Sequence, residues 1–426
     1  MTQLVDPLNL LKSCFQAALA AVDPLQAIAG FLPSQPRTGR IIVIGAGKGA
    51  ARMAKALEQA WPSAPLEGIV VTRYGHGDAC KRIAVVEASH PVPDAAGLAA
   101  AQRILALTQS AQAGDTVIAL ISGGGSSLLS LPAKGISLAD KQAINKALLA
   151  SGAPIDKMNC VRSYLSAIKG GRLGAACGAA TVHTLVLSDV PGDDPAIVAS
   201  GPTICGQHTA DDALQICEHY KLQIPRHIAE IIKNRPNSNP QGLGPRHVSV
   251  IATANHALAA ATAHAQAVGW QVTNLGAYIE GEASETGRVL AGVARELSDR
   301  AHASGQPQLL LSGGETTVTV RHPKPGRGGR NSEFLLSAAI ACEALPNVWG
   351  LAADTDGIDG SEDNAGAWFG PATLQAQRAA GNNPHDHLHR HDAYSFFAQA
   401  GSLLVTGPTR TNVNDFRAIA VLPPPL

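Results

Sequence analysis

Lys48 stands inside one run of glycines, Gly45-Ala46-Gly47-Lys48-Gly49, and Arg327 and Arg330 stand inside another, Gly326-Arg327-Gly328-Gly329-Arg330. A cation set among backbone N–H groups lies beside partial charge of its own sign, a conflict that an anionic ligand resolves. Two further loops, Ser122-Gly123-Gly124-Gly125-Ser126-Ser127 and Ser312-Gly313-Gly314-Glu315, follow short apolar runs and offer N–H and hydroxyl donors. Glycine lets such a backbone reach positive φ and come close to a ligand, so these loops suit phosphate, and equally the tight packing of βα turns. Carboxylates complete the set: Asp189, Asp193 and Asp194 in the stretch 188–195, and Asp354, Asp356 and Asp359 in 354–360. Hard oxygen ligands beyond strand ends suit Mg²⁺, and the same residues suit turns or substrate hydroxyls. The chemistry common to these residue types is phosphoryl transfer, in which the protein neutralises charge and holds two oxygens in line.

The elements that must carry these residues alternate strand and helix. Apolar runs at 40–44, 68–72, 83–87, 117–121 and 184–187 read as strands, and the turn after 40–44 opens a helix, an anion seat at a helix start. His90 follows 83–87 in Ser89-His90-Pro91-Val92-Pro93-Asp94, where it faces either the site or its own turn, and Asp94 is placed to cap a helix over 95–108. A helix over 156–167, continued in register, puts Arg162, Ser166 and Lys169 on one stripe, either a substrate-facing or a solvated one. Asp6-Pro7 reads as the N-cap and first residue of a packing helix. The Pro/Asn/Gly-rich stretch 233–245 reads as the main linker, giving domains over 1–236 and 246–426. Strands at 248–252, 272–275, 309–311, 348–352 and 403–406 follow, with 418–422 closing a second sheet. The fold class is α/β with two domains.

The 426 residues exceed one ordinary core, and 45% hydrophobic against 15% charged residues is a globular composition. Lys+Arg and Asp+Glu both number 33, so no broad basic face invites nucleic acid. The seven cysteines show no metal or disulfide spacing, and no leader or bilayer-length apolar run is evident; a cytoplasmic chain without membrane partners is expected. Three familiar motifs fail. Gly49 occupies the hydroxyl position of a P-loop, Arg73 ends the strand that a dinucleotide fingerprint ends with an acid, and Ile358 breaks a calcium loop.

Taken in order, GAGKGA, SHPVPD, SGGGSS, VRSYLSAIKGGRL, SDVPGDDP with the following Val198 to Thr203, SGGETTV, GRGGRNSE, TDGIDG and TNVND resemble the type II glycerate kinases with a C-terminal MOFRL domain. The resemblance covers nearly the whole chain. It implies a Rossmann-like N-terminal α/β/α domain, a smaller C-terminal α/β domain, an active site in the cleft between them, and phosphorylation of D-glycerate at its 2-hydroxyl by ATP with Mg²⁺. The essential lysine and arginine of that family match Lys48 and Arg330. One departure is Arg410, where the family's last loop usually has glycine. Phosphate binding is assigned to Gly45, Gly47, Ser122, Gly123, Gly124, Gly125, Ser126, Ser127, Gly313, Gly314 and Glu315, and substrate binding to His90, Arg162, Lys169 and Arg327. Asp189, with Asp356 next, is the candidate base, and Asp189, Asp193 and Asp356 are candidate metal ligands. A monomer or homodimer is expected. The alternative is an NAD(P)H-dependent hydroxypyruvate reductase, or a kinase of a related hydroxy acid.

Overall fold

The computed structural model describes residues 6–206, 208–235 and 242–424, so part of the expected linker, 236–241, lies outside the described residues. The chain divides into two compact units, Pro24–Ile251 and a second made of the first 23 residues with Ala252–Leu426.

In the unit Pro24–Ile251, β1 (Ile41–Ala46), β2 (Leu66–Arg73), β3 (Ile83–Ala88), β4 (Thr116–Ser122), β5 (Thr181–Leu187) and β6 (Arg246–Ala252) form one sheet in the order β3-β2-β1-β4-β5-β6. The first five pair in parallel. Every residue of β1 and β4 is buried, which is why both read as unbroken apolar runs: helices cover parallel strands on both faces. Ile42, Ile44, Val117, Ala119 and Val186 pack with Ala100 and Ile104 of helix Ala95–Gln109. Asp94 caps that helix as expected, accepting from Gly97 N at 2.9 Å. A separate helical core joins Ile144, Leu148, Val161, Ile228 and Ile232.

The other unit is built on a mixed sheet. β7 (Gln271–Asn274), β9 (Gln308–Ser312), β11 (Val348–Asp354), β12 (Gly366–Phe369), β13 (Leu403–Leu404) and β14 (Asp415–Val421) run in the order β13-β12-β11-β14-β9-β7. β8 (Ile279–Glu282) and β10 (Gly314–Thr317) form a small parallel pair. β14 does not close an edge: it lies between β11 and β9, antiparallel to both and buried along its length. Phe334, Phe396, Phe397, Leu290 and Ile419 centre the core.

The division departs from the expected boundaries at both ends. Helix Pro7–Ala21, capped by Asp6 as the sequence suggests, belongs with the C-terminal residues: His264 Nε2 meets Ser13 Oγ at 2.9 Å, and Thr411 Oγ1 donates to Val22 O at 2.8 Å. β6 completes the first sheet instead of starting the second. Arg246 fixes it there, donating to the carbonyls of Gly174, Gly178, Ala180, Gly244 and Pro245 at 2.8–3.1 Å. Nothing in the alternation of one short strand reveals such a side-chain clamp. Arg246→Ala is expected to lower stability by about 2–3 kcal/mol, read as a lower urea midpoint, because several of these carbonyls lose their donor.

Candidate active site

The strand order reverses direction between β1 and β4, and in open parallel sheets ligands bind beyond the strand carboxyl ends at such a point. Two glycine loops emerge here and are bonded to each other. Lys48 N donates to Gly123 O at 2.8 Å, Gly49 N to Ser122 Oγ at 3.0 Å, and Gly47 N to Val71 O at 3.1 Å. Gly47, at φ +133°, leaves no room for a Cβ, which would fall 2.1 Å from Ser122 Oγ. A Cβ at Gly45 would meet Leu120 O at 2.6 Å. The N–H groups of Lys48 and Gly49 therefore hold the two loops together and that of Gly47 ties the turn to β2, so Gly45, Gly47 and Ser122, expected to bind phosphate, are engaged in packing within the protein. The half-buried Lys48 side chain lies against the second loop, where Gly123 N and Gly124 N donate to no described residue. Gly124 is left-handed at φ +76°, and a Cβ there would lie 3.1 Å from His90 Nε2 and 3.2 Å from Lys48 Cγ. His90, Lys48 and Gly124 thus share one small space.

Behind Gly125 and Ser126 lies a strained turn. Ala199 and Ser200 are both held at positive φ, +53° and +61°, a conformation costing about 1–3 kcal/mol per residue. Ser200 Oγ meets Ser126 Oγ at 2.7 Å and donates to Asn159 Oδ1 at 3.0 Å. Helix Ile155–Tyr164 ends before Ser166 and Lys169, so the expected single stripe does not exist. The chain nevertheless gathers Arg162 and Lys169 by turning back: Gly170 N donates to Ser200 O, and Lys169 Nζ reaches Ser126 O at 2.5 Å. Lys141, from helix Leu138–Ala150, joins them and donates to Ser130 Oγ at 3.1 Å. Burial first, and neighbouring cations next, push the Lys141 ammonium down to about 8 and Lys169 well below the usual lysine range.

In the other unit the expected anion clamp is occupied by the protein's own carboxylates. Arg330 donates to Asp415 Oδ1 at 2.8 Å, Asp354 Oδ2 at 2.9 Å and Glu315 Oε1 at 2.5 Å. Asp359 fills the start of helix Arg330–Ala341, accepting from Asn331 N, Ser332 N and Ser332 Oγ at 2.5–2.9 Å. Gly313 N donates to Gly276 O, and Gly314 belongs to β10, where a Cβ would fall 2.1 Å from Ile279 O. The Ser-Gly-Gly sequence here is strand packing, and Gly313, Gly314 and Glu315 form no phosphate loop. Arg327 pairs on the surface with Glu362 and covers the Tyr394 ring at 4.0 Å. Asp356 is buried, and its Oδ1 accepts from Ile358 N at 2.8 Å, the turn role the sequence left open.

Residues 10–233 match the family described as a domain of unknown function, DUF4147, and residues 308–415 match the MOFRL family. D-glycerate 2-kinase of Thermotoga maritima is 37% identical over 97% of this chain and 98% of its own. The chain belongs to the glycerate 2-kinase family. A crystal structure of glycerate kinase from the same organism superposes with a TM-score of 0.85, covering 97% of this chain and 99% of that one at 36% identity. A relative from Agrobacterium vitis, 48% identical over 97% of this chain and 94% of its own, bears the provisional name hydroxypyruvate reductase.

Against the family's pattern, Arg410 has φ +63°, the left-handed region in which the usual glycine is at ease. Among the described residues no three His, Cys, Asp or Glu side chains converge on a metal position. Asp189 and Asp193 are half-buried beyond the end of β5, the strand paired with β4 up to Ser122 and Leu187. Lys141 escaped sequence reasoning although a signal existed: it shares the buried stripe of its helix with Ile144 and Leu148.

Burial alone would raise the Asp415 carboxyl, but Arg330 and Arg417 outweigh it and hold it below the ordinary carboxylate range. Its ionised form therefore stabilises the fold above the unfolded value, and this contribution fades as pH falls through the folded one. Arg330→Gln removes the counter-charge of three carboxylates. Its thermal midpoint is expected well below wild type near neutral pH, and the gap should narrow below about pH 5 as the carboxylates take up protons. A gap independent of pH would contradict this electrostatic account.

Proposed function

We propose that the protein transfers the γ-phosphoryl group of ATP to the 2-hydroxyl of D-glycerate, giving 2-phosphoglycerate and ADP. The observation that carries this reading is the pair of mutually bonded glycine loops at the strand-order reversal, with Lys48 as the cation they present. The name of the Thermotoga maritima relative supplies the acceptor. Free N–H groups of Gly123 and Gly124 take phosphate oxygens, with the half-buried Ser127 beside them, while Lys48 offsets charge as it spreads over the moving phosphoryl. Asp189, beyond the neighbouring strand, accepts the proton of the attacking hydroxyl. Asp189 and Asp193 offer hard, half-exposed oxygens, a donor set that fits Mg²⁺, which takes one or two carboxylates together with phosphates and water. When bound, that ion supplies charge neutralisation at the phosphates. Arg330 acts within its own unit by holding Glu315, Asp354 and Asp415 in place.

A nicotinamide reductase would need the first glycine turn to receive a pyrophosphate on its N–H groups. Those groups are bonded to Val71, Gly123 and Ser122, and Arg73 stands where a ribose-binding acid belongs. The kinase reading avoids both difficulties.

A coupled ADP-release assay over a panel of small hydroxy acids should single out D-glycerate, with no oxidation of NADPH by hydroxypyruvate. Lys48→Ala is expected to lower kcat by about 10²-fold or more while thermal unfolding is unchanged, since the side chain belongs to a loop. Turnover near wild type in that variant would remove Lys48 from the mechanism.

A further inference from the structure

The unit Pro24–Ile251 holds more buried positive charge than phosphoryl transfer at Lys48 explains. Lys141 and Lys169 are each 1% exposed, and each ammonium has a single uncharged acceptor, Ser130 Oγ and Ser126 O respectively. Arg162 adds a buried Nε that has no acceptor. Taken element by element, the groups around them are further cations, hydroxyls and carbonyls, with the Cys205 thiol near Arg172, and Cys160 and the Asp212 carboxylate acting on Tyr164. Helix Leu138–Ala150 brings Lys141, helix Ile155–Tyr164 brings Arg162 and Tyr164, and the connection 165–171 brings Lys169. Arg172 donates to Ser163 O and Lys169 O, and Arg235 donates to Tyr164 O. None of Lys141, Arg162, Lys169, Arg172 and Arg235 forms an ion pair with a carboxylate of a described residue. A cation removed from water without a counter-charge strongly disfavours the fold, so a chain that keeps two such lysines and an arginine together has left room in its electrostatics for an anion.

We propose that Lys141, Lys169 and Arg162 form a small-oxyanion site behind the 122–127 loop, one that a carboxylate or a phosphate group fills and that rejects uncharged polyols. The proposal rests on the kinase reading for its place in the reaction. If the acceptor's carboxylate is the occupant, the site separates hydroxy acids from glycerol, which has the same hydroxyl but no charge. Occupancy is linked to protons. Because burial and mutual repulsion depress the Lys141 ammonium to about 8, an arriving anion restores its proton, and binding near that pH takes up protons from solution. Affinity for the anion accordingly falls as pH rises through about 8. The sign for the empty protein is opposite. The folded value lies below the ordinary 10.5, so the fold gains stability between those two pH values as Lys141 deprotonates.

The test titrates the full chain with D-glycerate, inorganic phosphate and glycerol by calorimetry at pH 8, in two buffers of different ionisation enthalpy. Wild type should bind at least one of the two oxyanions with uptake of a fraction of a proton and should show neither binding nor uptake with glycerol. Which oxyanion binds identifies the source of the charge. Lys141→Met should weaken that binding at least 10-fold and abolish the uptake. It should also match or exceed the wild-type thermal midpoint when no anion is present, because an uncompensated buried cation has been removed. A merely structural lysine would do the reverse, lowering the midpoint and leaving oxyanion binding intact, and that outcome overturns the proposal. Lys141→Arg supplies a second check, since its charge does not titrate: it should keep its oxyanion affinity at about pH 9.5, where wild type loses it. An equal loss in both proteins would also overturn the proposal. All of these readouts are made without turnover, so a protein that binds oxyanions in this way yet releases no ADP from glycerate would sink the kinase reading alone.

Discussion

Charge taken out of water has to be met by opposite charge, and two clusters in this chain, one in each unit, meet that constraint in opposite ways. In the C-terminal unit Asp415 is fully enclosed, and its carboxylate is held by Arg330, Arg417, Asn331 and Thr316 N. Arg330 in turn ties β14, β11 and β10 together through Asp415, Asp354 and Glu315. The carboxylates of this network are met: each oxygen of Asp415 has donors, and the start of helix Arg330–Ala341 is capped by Asp359, while the buried Arg417 Nε and Asn331 Oδ1 have no partner. In the unit Pro24–Ile251 the arrangement is open. Lys141, Arg162 and Arg172 come from three helices, Lys169 from the connection 165–171 and Arg235 from just beyond a fourth helix, and the partners they meet are carbonyls, a hydroxyl and the Tyr164 ring.

This contrast separates what the chain reveals from what it conceals. Strands β1, β4 and β9 were legible because buried parallel or central strands are continuous apolar runs, and the caps at Asp6 and Asp94 were legible because a cap is a local hydrogen bond. The Ser-Gly-Gly repeats look alike in sequence, yet the first presents free N–H groups and the second is a close approach between β10 and β8. Glycine permits both, and only the partner strand decides. The partners of Arg330 are hidden for a related reason. A guanidinium in a glycine loop declares that it will meet anions, and whether these are a ligand's or the protein's own depends on carboxylates 15 to 85 positions away. Lys169 was placed with the right neighbours on the wrong element, since the helix expected to carry it ends at Tyr164 and a turn does the work instead.

The pairing of the two loops at the strand-order reversal explains why the dinucleotide fingerprint is incomplete. In a fold that binds a pyrophosphate, glycines keep the first turn's N–H groups open to the ligand. Here Val71, Gly123 and Ser122 take those groups, so the turn becomes a rigid pedestal for Lys48 and the unbonded donors move one loop along. Gly124 suits glycine on two counts: its φ of +76° is left-handed, and a Cβ there would crowd His90 and Lys48 at 3.1–3.2 Å.

The chain crosses between its two units twice, once after Asp23 and once after Ile251, and this fixes an order of events during synthesis. Helix Pro7–Ala21 leaves the ribosome before the other described elements, but the surface it belongs on starts with helix Ala254–Ala267, and its Cys14–Ala261 contact spans 247 residues. At about 5–20 residues per second, some tens of seconds pass before that partner exists. Meanwhile Pro24–Ile251 is contiguous and can complete its sheet once β6 arrives. The nascent chain therefore carries Leu10, Leu11, Phe15 and Ala18 as an unpartnered apolar stripe for most of its translation, a natural target for a holdase, and the last strand to be made, β14, is the one that completes the sheet of the second unit.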